Sequence, residues 1–150
     1  MIASKDGLPI ELHFRLNVVD EWPPVAVEGV LCTAVDKGYR IESPPLFVKG
    51  ISVGDIIEVA FDLENDVASW QPISQSGRTT AWILRTGSGN NIATVLPELR
   101  ALGCQIVELP ELGCYAVDIP PEVSIADIDA CLARLDGNST AVAFPSYRHP

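Results

Sequence analysis

The sequence predicts an α+β protein: an N-terminal small antiparallel β-sheet or open barrel, then a ferredoxin-like βαββαβ sandwich. Three observations predict it. Residues 79–145 read in order as strand, helix, strand, strand, helix, strand. The first half is a series of short apolar runs broken by glycine and proline, the mark of a small curled antiparallel sheet. Between the halves, Ser74-Gln75-Ser76-Gly77 is polar and marks a boundary, giving subdomains 1–75 and 76–150.

In chain order, Glu11 to Val18 alternates with period two and puts Leu12, Phe14, Leu16 and Val18 on one face. Pro23 and Pro24 stop that strand. Val25 to Val35 is a second run, turned at Asp36-Lys37-Gly38 and answered by Tyr39 to Ile41. Leu46 to Lys49 reads as a short strand ended by Gly50. Ile56 to Leu63 and Val67 to Ile73 form a hairpin around Glu64-Asn65-Asp66. Glu21-Trp22-Pro23-Pro24 reads as an extended corner whose indole plugs the barrel.

In the second half, Thr79 to Arg85 is a strand and Thr86 to Asn91 a loop. A helix carries Ile92, Val95, Leu99 and Leu102 on one stripe and stops at Gly103. Pro97 implies either a start at Thr94 or a bend. Gln105 to Leu109 and Cys114 to Ile119 pair as a hairpin. Ser124 with Asp127 gives a capping-box arrangement for a helix running to Asp136, with Ile125, Ile128, Leu132 and Leu135 as its stripe. Thr140 to Phe144 closes the sheet. Ile128, Leu132, Ile83 or Leu84, and Val117 are the expected core.

Charge and cysteine usage exclude several classes. The formal charge of -10 disfavours nucleic acid, which needs a basic face. No apolar run reaches the ~18 residues of a membrane span, and no signal-like segment precedes Pro9. Cys32, Cys104, Cys114 and Cys131 lack C-x-x-C spacing, so no metal and no disulfide is expected. Four buried thiols fit a reducing cytoplasm. Two histidines leave His13 as the base of any triad; it reads as a strand residue on a wet face, and His149 as disordered.

Asp55, Glu58, Asp62, Glu64 and Asp66 crowd one hairpin. Paired carboxylates support acid–base chemistry only where two converge in a cleft, so these five are read as a partner-binding surface. Thr86-Gly87-Ser88-Gly89 lacks both the lysine of a phosphate loop and the third glycine of a dinucleotide fingerprint. Trp22, Lys49, Arg78 and Ser88 are the residues of a possible ligand cleft. No catalytic residue and no cofactor is assigned.

His13-Phe14-Arg15-Leu16, Glu21-Trp22-Pro23-Pro24, Leu46-Phe47-Val48-Lys49-Gly50, Gly54-Asp55 and Gly77-Arg78-Thr79-Thr80 together resemble an uncharacterised bacterial family, a domain of unknown function. The resemblance implies no activity. By analogy, small acidic proteins of this kind are similar to immunity proteins that plug toxins. Three classes stay open. First is a non-catalytic immunity-type inhibitor meeting a basic toxin domain through its acidic surface. Second is a small-ligand sensor, and third an enzyme with a carboxylate site. The acidic turn is expected to tolerate neutralisation without loss of folding.

Overall fold

The computed structural model describes residues 7–150, which form a mixed α/β protein built mostly of strands in two antiparallel sheets. The chain divides into two compact units, Met1–Ser76 and Gly77–Pro150.

The first unit contains β1 (Ile10–Arg15), β2 (Val27–Val35), β3 (Gly38–Ile41), β4 (Ile56–Phe61) and β5 (Val67–Ser74). Each strand pairs antiparallel with the next. The sheet does not stay open: β1 meets β5 in parallel at Phe14 and Val67, which closes a barrel. That closure joins strands about fifty residues apart, a pairing that hairpin signals do not encode. Period-two alternation sends Leu12, Phe14, Val30, Cys32, Ile41, Ile57 and Val67 into one core. Gly38 is obligatory at the tight β2–β3 turn, because a Cβ there would fall 2.1 Å from the Ile57 carbonyl oxygen.

Two expectations fail here. Leu46 to Lys49 is not a strand, and Trp22 is not the plug. Instead the loop between β3 and β4 folds over the barrel, and Val48 and Ile51 join its core. Trp22 is 49% exposed.

The second unit runs β6 (Thr79–Arg85), α1 (Ile92–Ala101), β7 (Gln105–Leu109), a 3-10 turn (Pro110–Leu112), β8 (Cys114–Ile119), α2 (Ile125–Leu132) and β9 (Thr140–Ser146). The sheet order is β7-β8-β6-β9, every pairing antiparallel. Ala81 and Ile83 of β6 and Tyr115, Val117 and Ile119 of β8 share one core with both helices. From α1 come Ile92, Val95, Leu96 and Leu99, and from α2 Ile128, Cys131 and Leu132. These positions follow the i, i+3, i+4, i+7 spacing of a helical stripe.

Of the two alternatives for the first helix, a start at Thr94 is ruled out: α1 starts at Ile92 and keeps Pro97 inside it, so the Ala93 carbonyl has no N–H donor at position 97. The second helix is shorter than expected. α2 ends at Leu132, not Asp136. The reason is Asn91: its amide donates to the Arg134 carbonyl at 2.7 Å and accepts from the Asp136 N–H at 2.9 Å. Those groups are thus satisfied outside a helix. Ser124 is the N-cap residue, but its side chain makes no capping bond.

His149 is ordered, against expectation. Its ring is buried, with Nε2 at 3.0 and 3.1 Å from the Pro120 and Val123 carbonyl oxygens. Nδ1 lies 2.6 Å from the Thr79 hydroxyl, which also accepts the N–H groups of Arg148 and His149. A single tail residue thus ties three segments of the unit together.

Candidate functional site

The hairpin of β4 and β5 carries the acidic cluster. Its turn, residues 62–66, is closed by Asp62 N–H to the Asp66 carbonyl at 2.8 Å. Asp62 Oδ1 accepts the N–H groups of Glu64 (2.8 Å) and Asp66 (3.0 Å), while Asn65 takes the left-handed backbone at φ 64°. Asp62 is therefore the turn's internal cap. Its other oxygen binds the Arg15 guanidinium, and Arg15 also reaches Glu64 at 2.9 Å and Asp66 at 3.4 Å. The Arg15 hydrogen bond holds the Asp62 carboxyl below the usual carboxylate range.

This geometry sorts the five predicted acids. Asp62 and Asp66 are mostly covered and face Arg15 and the turn backbone. The expectation that all three turn acids are dispensable for folding is corrected, since Asp62 builds the turn. Asp55 is buried: its carboxylate accepts the N–H groups of Ser52 (2.9 Å) and Ser76 (2.8 Å) and fastens the loop after β3. Glu58 and Glu64 remain exposed. Between the acids stands Leu63, fully exposed, with Phe61 beside it edge-on to Tyr39 at 6.1 Å. Composition drew attention to the charges, whereas the projecting leucine needed the turn geometry.

The possible cleft residues fall in both units. Trp22 and Lys49 are exposed in the first, and Ser88 is exposed in the loop after β6. Arg78 forms a bidentate pair with the fully buried Asp118, Nε to Oδ1 at 2.9 Å and Nη2 to Oδ2 at 2.7 Å. His13 is half exposed and 2.9 Å from Glu11. Among the described residues no three or more His, Cys, Asp or Glu gather as a metal set, and no helix is long and apolar enough to cross a membrane.

Sequence reading missed Glu28. It is buried at the barrel mouth, where its carboxylate accepts the N–H groups of Leu46, Phe47 (2.8 Å) and Val48 (3.0 Å). A signal existed: Glu28 is in phase with Val30 and Cys32 on the inward face of β2. An acid at an inward position needs partners, and the folded-over loop supplies them.

The four cysteines are free and buried. Burial pushes the Cys32 and Cys104 thiols up to about 12. Thiolate is the reactive form, so the native protein should resist iodoacetamide at mildly alkaline pH. Mass spectrometry should show four alkylated thiols only after denaturation. Rapid labelling of Cys32 in the native state would contradict this burial.

The units and their exposed turn define a class: a mixed α/β protein presenting an acidic hairpin tip on a small closed barrel. The chain belongs to the family described as Domain of unknown function (DUF4265), whose model matches residues 28–142. A solved structure titled "Novel crystal structure of a hypothetical protein from Neisseria gonorrhoeae" is similar in fold. Its TM-score is 0.64 at 14% sequence identity, over 100% of this chain and 99% of that one. No curated protein matches.

Proposed function

We propose that this chain is a non-catalytic protein-binding protein whose acidic hairpin tip engages a partner with a basic surface. The most concrete form is an immunity-type inhibitor that neutralises a bacterial toxin domain. One observation carries the reading: Leu63 stands fully exposed between acids, on a turn fixed by Asp62 and Arg15. An apolar anchor ringed by charge is the anatomy of a docking site, and a fixed turn lowers the entropy lost on binding. The chain's charge of -10 complements a basic partner.

The second unit is, on this reading, a ferredoxin-like scaffold, supported by its element order and its sheet order. A cytoplasmic location is supported by four free, buried thiols.

The test is capture of the partner from source cells by the tagged chain, then its re-expression and binding kinetics in rising salt. Association should slow as salt rises, because screening shortens the reach of the acidic tip. Changing Glu64→Gln with Glu58→Gln should slow association several-fold and leave dissociation nearly unchanged. These two acids are chosen because neither caps the turn. Recovery of no basic protein, or turnover of a substrate by the isolated chain, overturns the reading.

A further inference from the structure

Between β1 and β2 the chain makes a second projecting tip. Val19 and Trp22 bridge each other through two backbone bonds of 2.9 and 3.1 Å. Below them, Leu16 N–H donates to the Ala26 carbonyl at 2.9 Å. The two residues inside the bridge are Asp20 and Glu21, both in left-handed backbone at φ 54° and 65°. Aspartate tolerates that conformation, as asparagine and glycine do, but glutamate does not favour it, so Glu21 is held against local preference.

Apolar side chains flank these two acids and are uncovered. Val18, Val19 and Trp22 are all exposed. The indole nevertheless has an orientation, because Phe47 packs edge-on against it at 6.0 Å. Phe47 is itself fastened through its N–H to Glu28. Trp22 is thus a half-exposed indole braced by a ring contact, the kind of residue that dominates interface energetics.

We infer that this tip is the anchoring part of the docking surface, with Trp22 entering an apolar pocket of a basic protein partner. The inference rests on the protein-binding reading above. Charge complementarity selects the occupant. Residues 16–26 contain Asp20 and Glu21 and neither lysine nor arginine. The β4–β5 turn adds three acids against Arg15. Both tips repel nucleic acid and anionic membranes and attract a pocket rimmed by lysine and arginine. Arg15, the last residue of β1, joins the two: it grips the acidic turn, and the chain leaves it directly into the Trp22 tip.

The test uses the partner captured as above, purified and titrated against variants of the full chain. Trp22→Ala should weaken binding about thirtyfold or more, mainly through faster dissociation. Trp22→Phe should recover part of the loss. Thermal unfolding of both variants, measured alone, controls for the Phe47 contact. A second readout is acrylamide quenching of tryptophan fluorescence. Binding should protect the native chain, and should protect Trp22→Phe markedly less. A complex that forms while Trp22→Ala binds within about threefold of native overturns the anchor and leaves the protein-binding reading standing. Failure to recover any basic protein removes both.

Discussion

Changing Glu28→Ala should destabilise the first unit by about 3 kcal/mol. The carboxylate is the acceptor for three consecutive backbone N–H groups, Leu46 to Val48. Each buried donor left without an acceptor costs about 1–3 kcal/mol, and partial opening of the loop to water recovers some of that sum. The loop also delivers Val48 and Ile51 to the barrel core, so its release exposes apolar surface as well. Urea unfolding of the variant measures the loss. A loss under about 1 kcal/mol would show that the loop closes the barrel without the carboxylate.

The same residue sets a pH dependence. Burial holds the Glu28 carboxyl above its ordinary 4.5, and the three amide bonds oppose that shift without cancelling it. The folded chain then binds this proton more tightly than the unfolded chain. Its stabilising contribution is fully present below 4.5 and declines as pH rises through the raised folded value. Glu28→Gln removes the titration. The stability of the native chain minus that of Glu28→Gln should therefore fall as pH rises above 4.5. A difference that grows with pH would mean the amides outweigh burial.

The second large effect is expected at Asp118. Asp118→Ala should cost about 2–3 kcal/mol in the second unit. Asp118 is fully buried on β8 and holds Arg78 through two parallel bonds. Removing one partner of a buried pair costs about 3–5 kcal/mol, because the other charge is left uncompensated. The Arg78 side chain keeps 30% of its surface in water, which lowers that figure. The double variant Asp118→Ala with Arg78→Met should recover part of the loss, since no unpaired charge remains. Equal instability of the single and double variants would assign the cost to lost packing instead.

Much of the architecture was legible because it is local. Leu12 and Phe14 alternate with outward polar residues, and Ile92, Val95 and Leu99 repeat at helical spacing, so faces and element types follow from period alone. The candidate site was legible in part. Charge density pointed to residues 55–66, but density does not say which carboxylates face water. Backbone hydrogen bonds decided that: Asp55 and Asp62 turned inward to cap loops, while Glu58 and Glu64 stayed out.

The sequence by itself determined the helix and strand order of the second unit, the inward residues Leu12 and Phe14 of β1, the apolar stripes of both helices and the absence of paired cysteine spacing. Each of these depends on neighbours within about one turn or one hairpin. Tertiary structure alone decided the closure of the barrel at Phe14 and Val67, the early end of α2 at Asn91, and the burial of His149 against Thr79. It also decided that Leu46 to Val48 would serve Glu28 rather than form a strand. These share one physical cause. A buried polar group must find its partner wherever the fold brings one within about 3 Å, and that partner has no fixed offset along the chain.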